Sequence, residues 1–361
     1  MKNIAVIGCG YWGPNLVRNV AAIPGAVLKA ICDLDQEKLN ALKTQYPYVE
    51  TTRDYRTLLA DPEIDAVVVA LVPALHYEVA RQCLEAGKHV MVEKPLAMNS
   101  QEGEQLVDLA RSKGLVLMVG HTFVYNSIVR KIKEFIDSGE IGDLYYIYSH
   151  RLNLGQVRKD VNVLWNLAPH DFSIISYWMG QDPISVTARG FDFIGSNHCD
   201  VAFVSMEFPG NRAAHVHVSW LDPQKIRKMT IVGSRRMLVY DDIGENKLFI
   251  YDKGFDRLTN QDRSFIKYDD FGEFQLIQRV GDLVVPSMKF REPLRVECEA
   301  FVEAIEKGTP SPSDGIEGLR VLRWLEHTQR SIDSGGETVR FGDCQNGKEP
   351  LISKGQPARL N

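Results

Sequence analysis

Ile4-Ala5-Val6-Ile7-Gly8-Cys9-Gly10-Tyr11-Trp12-Gly13-Pro14 reads as a buried β-strand, Ile4–Ile7, running straight into a glycine loop at the head of a helix. In such a loop Gly8 permits a tight turn, Gly10 lets backbone amides approach a pyrophosphate, and Gly13 allows helix and strand to pack closely. Tyr11 and Trp12 fill the positions between the glycines, and Pro14 suits a first helical turn. Asp33 stands twenty residues past Gly13, after the second strand. A carboxylate there accepts hydrogen bonds from the adenosine ribose hydroxyls and repels a 2′-phosphate, although Asp35 is close enough to compete. The expectation is a dinucleotide site that prefers NAD to NADP.

Outward from this stretch, Val27–Ile31, Ala66–Leu71, Val90–Val92 and Leu115–Val119 are further apolar runs separated by helix-length segments. Their continuous hydrophobicity fits parallel strands covered on both faces. Asp54, and Asn99 followed by Glu102, mark helix starts. Beyond Gly120 the texture changes. Helical segments at Ser127–Ser138 and Asn166–Met179 flank a run at Leu144–Arg151. Alternating β-rich runs then follow at Val186–Ala188, Val201–Phe208, Ala213–Leu221, Lys228–Val232, Met237–Tyr240 and Leu248–Tyr251. Helical periodicity returns at Leu294–Lys307 and Gly315–Ser334. The fold class is therefore α/β: an N-terminal Rossmann doubly wound parallel sheet, then an α+β domain with a large, mostly antiparallel open sheet. The boundaries are 1–122 for the dinucleotide-binding domain, 123–341 for the substrate-binding and oligomerisation domain, and 342–361 for a polar tail.

Composition agrees with two folded domains and excludes other classes. The 361 residues exceed twice the usual domain of about 150, with 44% hydrophobic and 25% charged side chains. A net charge of −5 gives no global positive field for nucleic acid or anionic membrane. The apolar stretch Ala66–Leu75 is too short to span a bilayer and is interrupted by Pro73. No secretory h-region precedes Gly8, so the expected compartment is the cytoplasm. The six cysteines form no CxxC pair and read as free packing thiols. His215 and His217 share one strand face without a carboxylate or thiol to complete a metal site, so no metal is expected.

The reactive chemistry centres on Glu93-Lys94-Pro95, which follows the strand His89–Val92 at the carboxyl end where open α/β sheets place their ligands. Pro95 fixes the backbone after the lysine, with a cis bond one way of doing so. With the stretch Ala86–Ala97 around it, the glycine loop, and Leu164-Trp165-Asn166-Leu167-Ala168-Pro169-His170-Asp171, the chain resembles the Gfo/Idh/MocA oxidoreductases over nearly its whole length. Pro73 with His76, and Gly120-His121, add to the match.

The resemblance implies a sugar or nucleotide-sugar dehydrogenase with NAD as cofactor and Lys94 and His170 as catalytic residues. In it Gly8, Gly10, Tyr11, Trp12, Gly13, Asp33, Pro73, His76, Glu93, Lys94, Pro95 and His121 serve the cofactor. Lys94, Tyr125, Arg151, Asn153, Trp165, Asn166 and His170 serve the substrate, with Lys159 a further candidate. It also implies a homodimer or homotetramer built on the second sheet. His170 is read as beginning a helix, with Asp171 beside it either a helix-start charge or a catalytic group. An imidazole titrating near neutrality suits proton transfer, and a lysine suits stabilisation of the oxygen as hydride leaves.

One departure is Asn166, where many relatives carry Asp. Its amide can position substrate but cannot electrostatically support an imidazolium or pair with Lys94. A keto-sugar reductase, an inositol or free-sugar dehydrogenase and a non-catalytic NAD sensor therefore remain open beside the leading expectation, a UDP-N-acetylhexosamine-type 3-dehydrogenase of surface-polysaccharide synthesis. The basic residues Lys225, Arg227, Lys228, Arg235 and Arg236 read as a solvated sheet face or as contacts to an anion.

Overall fold

Successive residues of β1 (Lys2–Ile7) enter different cores, Ile4 and Val6 on one side and Ala5 and Ile7 on the other, as the two-residue period of a strand dictates. A computed structural model describes residues 1–155, 157–158, 160–257 and 276–342. Lys159 and the tail from 343 onward lie outside the described residues.

The first unit continues with α1 (Gly13–Ala22), β2 (Ala26–Cys32), α2 (Gln36–Gln45), β3 (Glu50–Thr52), α3 (Tyr55–Ala60), β4 (Ala66–Val69), α4 (His76–Glu85), β5 (His89–Glu93), α5 (Ser100–Lys113) and β6 (Leu117–Gly120). Its six strands pair in parallel in the order β3-β2-β1-β4-β5-β6. The order reverses between β1 and β4, which opens a crevice at the carboxyl ends of those strands. All four residues of β4 are buried, each such valine worth about 1.5–3 kcal/mol. The caps expected at Asp54 and Asn99 are present, accepting from Arg56 N and Glu102 N.

The second unit comprises α6 (Ser127–Asp137), β7 (Leu144–Leu152), α7 (Val163–Met179), β8 (Ser185–Phe191), β9 (Val201–Phe208), β10 (Arg212–Ser219), β11 (Ile226–Gly233), β12 (Met237–Asp241), β13 (Leu248–Arg257) and β14 (Leu276–Val284). After it come α8 (Pro293–Lys307), α9 (Gly315–Asp333) and β15 (Val339–Arg340). The nine strands run in the order β14-β13-β12-β11-β7-β10-β9-β8-β15, and only β7 with β10 is a parallel pair. Strand β9 alternates as the sequence indicates: Ala202, Val204, Met206 and Phe208 point to the core, while Phe203, Ser205 and Glu207 are exposed. The inner face meets α6, α7 and α9 around Phe172, Trp178 and Trp324.

Three readings change. Helix α7 begins at Val163, because Asn162 Oδ1 accepts from Trp165 N at 3.1 Å and caps it three residues early. His170 therefore lies in the middle of the helix. Asp171 is not a helix-start charge either: it is buried and accepts from Arg151 Nε at 2.7 Å and from Ser149 Oγ at 2.6 Å. Helix α8, which the boundaries place with the second unit, packs Leu294, Cys298, Phe301 and Val302 into the core of the first, beside Ile4, Leu16 and Val20.

Candidate active site

The three glycines of the loop separate by what each one faces. A Cβ on Gly8, whose φ is +100°, would stand 2.4 Å from Ala70 O, and one on Gly13 would stand 2.1 Å from Gly8 O, so the protein itself requires both. A Cβ on Gly10 would meet nothing within 4 Å. Its bareness is not demanded by packing; it leaves the backbone open to a ligand. The N-cap of α1, Trp12, makes no side-chain capping bond; Pro14 carries no N–H and Asn15 N donates to Trp12 O at 3.0 Å, so the first-turn amide left for an anion is that of Gly13.

Asp33 follows β2 beside this loop, accepting from Cys9 N at 2.6 Å and from Asp35 N at 2.9 Å. Asp35 is occupied as the N-cap of α2. The competition between the two carboxylates thus resolves: one caps a helix, the other stands at the loop. Pro73 opens a 3₁₀ turn, Pro73–Leu75, after β4. These residues fit a dinucleotide.

A cavity of about 480 Å³ lies against the loop, where the carboxyl ends of β5 and β6 meet β7, α7 and β11. Tyr11 and Trp12 line it together with Lys94, Phe123, Arg151, Asn153 and His170. The Lys94-Pro95 bond is cis, and Lys94 Nζ donates to the backbone carbonyl of Asn166 at 3.0 Å rather than to a carboxylate. Burial lowers the affinity of Lys94 for its proton. Its neighbour Glu93, whose carboxylate lies over Gly120, is pushed up by the same burial. The pKa of His170 falls well below the usual imidazole value, chiefly from burial and then from Lys94, Arg151 and Arg227. Its ring stands edge-on to Phe123 at 5.0 Å between centroids.

Five of the expected side chains are withdrawn from this cavity. Tyr125 is 1% exposed, its hydroxyl held by Ser311 at 2.5 Å and Ser313 at 2.8 Å. His76 is fully buried, with Nδ1 2.6 Å from Pro95 O and Nε2 3.0 Å from Leu71 O, and ties the turn after Lys94 to the end of β4. His121 is buried without a hydrogen-bond partner among the described residues, and burial pushes it down to about 3, so the ring is uncharged. The Trp165 indole donates to Gln329 Oε1 at 3.2 Å. Asn166 Oδ1 accepts from the Trp220 indole at 3.3 Å, and it is the backbone carbonyl of Asn166 that meets Lys94.

The sequence reading missed Asn15, Phe123 and Asn126, which line the cavity, and left Lys225 and Arg227 between a solvated sheet face and contacts to an anion; both line the cavity. It also missed Glu297 of α8, which is fully buried. Its Oε2 accepts from Thr122 Oγ1 at 2.8 Å, while its Oε1 has no partner among the described residues. Burial and the nearby Glu93 hold its pKa well above the carboxylate range. Only the phase of the helix that carries Glu297 could have pointed inward, and a lone acidic residue in such a phase is a weak signal.

A dinucleotide cradle opening on a half-buried lysine and an uncharged histidine defines an NAD-binding oxidoreductase. Comparison with known proteins gives the family. Residues 2–121 match the model of the oxidoreductase family with an NAD-binding Rossmann fold, and residues 129–239 match the GFO/IDH/MocA C-terminal domain. The chain belongs to the Gfo/Idh/MocA oxidoreductase family.

Similar proteins include UDP-N-acetylglucosamine 3-dehydrogenase of Acidithiobacillus ferrooxidans, 27% identical over 88% of this chain and 93% of that one. The solved structure of an enzyme of that name from the same organism superposes with a TM-score of 0.75 at 24% identity, covering 92% of this chain and 98% of the other. Myo-inositol 2-dehydrogenase of Thermotoga maritima is 23% identical over 91% of this chain and 96% of its own. GenD2 from gentamicin A biosynthesis, solved in complex with NAD, superposes with a TM-score of 0.76 at 23% identity, over 94% of this chain and 96% of that one. No described helix is long and apolar enough to cross a membrane.

Proposed function

We propose that the protein oxidises a ring hydroxyl of a nucleotide-activated sugar, of the UDP-N-acetylhexosamine type at C3, in the synthesis of surface polysaccharide. The observation that carries the reading is the joint placement of Lys94 and His170 on one cavity beside the open Gly10 loop. The similarity to UDP-N-acetylglucosamine 3-dehydrogenase, together with a lining that combines Phe123 with Arg151, supports an activated sugar over a bare polyol.

NAD, when bound, supplies the hydride acceptor. His170, uncharged because it is buried among cations, takes the hydroxyl proton. Lys94, steered by the Asn166 carbonyl, directs an N–H at the substrate oxygen and stabilises the charge that develops as the C–H bond breaks. Asp33 holds the adenosine ribose, and the exposed rings of Tyr11 and Trp12 border the cofactor. Arg151 is clamped by Asp171, so it acts as a fixed wall rather than a mobile ligand.

The test is formation of reduced nicotinamide when protein and NAD meet UDP-N-acetylglucosamine, UDP-N-acetylgalactosamine, free aldoses and myo-inositol. A signal with a UDP-N-acetylhexosamine supports the reading; a signal with inositol alone overturns it. The open face of the second sheet, with Tyr146, Phe203 and Phe191 exposed, is the surface on which we place self-association, checked by light scattering after gel filtration.

A further inference from the structure

The charges that line the cavity do not balance. Its cations are Lys94, Arg151, Lys225 and Arg227, and its carboxylates are Glu93, Asp242 and Glu292. Arg151 is matched by Asp171 in a buried pair. Glu292 is turned away, accepting from Arg18 Nη1 at 3.0 Å and from Asn19 Nδ2 at 3.2 Å. Glu93 is biased toward its neutral form by burial. Asp242 reaches Arg227 Nη1 at 3.4 Å, and its other oxygen accepts from the Tyr240 hydroxyl at 2.9 Å. Asp242 thus pairs with Arg227 at 3.4 Å, the cavity lining holds Lys225 as a further cation, and Lys94 donates to a neutral carbonyl.

The arrangement is built rather than loose. Phe123 carries the Arg151 guanidinium 4.7 Å from its ring centre, the Arg227 guanidinium at 5.9 Å and the His170 ring at 5.0 Å. Arg227 is half-buried and held by Asp242; Lys225, just before β11 begins, is exposed and lines the same cavity. A fixed guanidinium with a mobile ammonium beside it suits a planar or tetrahedral oxyanion.

We propose that Lys225 and Arg227 form an anion subsite that selects substrates bearing a carboxylate or phosphoryl group close to the sugar carbon being oxidised. The proposal rests on the dehydrogenase reading above and adds which sugars it accepts. It also couples binding to chemistry. His170 is faced by Lys94 from β5, His121 from the end of β6, Arg151 from β7 and Arg227 from β11, with Asp171 beside it already committed to Arg151. A substrate anion seated on Arg227 offsets one of these cations, so His170 becomes a stronger base when a correct substrate is present.

The test uses full-length protein saturated with NAD and calorimetric binding of two pairs: UDP-N-acetylglucosamine against its 6-carboxylate, and N-acetylglucosamine against its 1-phosphate. We expect the charged member of at least one pair to bind roughly tenfold or more tightly, the gain of one charge-assisted contact. Which pair shows the gap identifies a carboxylate or a phosphoryl group as the source. The gap should close in Lys225→Gln/Arg227→Gln, reopen in part in Lys225→Gln/Arg227→Lys, and shrink with added salt in the unaltered protein. Equal binding within both pairs, or a gap that survives in the double variant or in salt, overturns the subsite. Reduced nicotinamide formed equally well from neutral and charged sugars would remove the subsite and leave the dehydrogenase. A binding gap without any reduced nicotinamide would keep the subsite and remove the dehydrogenase.

Discussion

Lys94 Nζ donates to the main-chain carbonyl of Asn166 at 3.0 Å, a bond that joins the end of the first sheet to α7 across 72 residues. The side chain of residue 166 is not what steers the lysine. Replacing an Asp by Asn at this position therefore removes a charge without removing Lys94's anchor.

Lys94→Ala and His170→Ala should each lower turnover by about 10²–10⁴-fold, the range for a positioned proton-transfer group. NAD affinity, followed by quenching of protein fluorescence, should stay within about twofold, because the dinucleotide cradle is built by other residues. Turnover like that of the unaltered protein in either variant removes that residue from the reaction.

The role given to Lys94 needs its ammonium form, and burial moves its deprotonation below the ordinary lysine value of 10.5. Activity should therefore be lost as pH rises, earlier than an exposed lysine would allow. Asn166→Asp keeps an acceptor for Trp220 and adds a negative charge near the ammonium. It should carry the alkaline limb upward by about one pH unit, read from kcat/KM against pH. An unmoved limb means that another group sets it.

Gly10→Ala and Gly13→Ala should fail differently. An alanine at 10 meets nothing within 4 Å, so Tm should hold while the Kd for NAD rises at least about tenfold. An alanine at 13 stands 2.1 Å from Gly8 O, and Tm should fall by several degrees. Equal melting losses for the two would contradict the assignment of Gly10 to the ligand.

Asp33→Ser should erode the preference for NAD over NADP by at least about tenfold, measured as the ratio of kcat/KM values, because a hydroxyl neither repels a 2′-phosphate nor grips the ribose as strongly. Asp35→Ser should leave that ratio unchanged, since Asp35 serves α2.

Glu297 provides a stability signature. Its folded pKa is raised, so its neutral form fits the fold, and its contribution is complete below the unfolded value near 4.5 and is lost as pH rises toward the folded one. Glu297→Gln, which mimics the neutral acid, should raise Tm at pH 8 by several degrees and change it little at pH 4.5. A variant whose gain is independent of pH would show that charge is not what the site resists.

How much of this was legible follows a physical divide. The glycine loop, the apolar parallel strands and β9 are local patterns, and a single chain displays them. Strand β3 was missed because its three residues, Glu50-Thr51-Thr52, are polar and lie at the sheet edge. Tyr125 and Trp165 were misplaced because facing a cavity or a core is decided by neighbours far along the chain, here Ser311, Ser313 and Gln329. Arg227 was undecided between a solvated sheet face and an anion contact, and its approach to Phe123 and Asp242 is what brings it to the cavity.

Helix α8 closes the core of the first unit although it is made after every strand of the second sheet except β15. On the ribosome, the apolar side of α1 and β1 must wait for Phe301 and Val302 for roughly 15–60 s at about 5–20 residues per second. The nucleotide half of the molecule is thus the first to be synthesised and among the last to be completed, and a chain broken off within the second sheet would present an unfinished, sticky cradle to its surroundings.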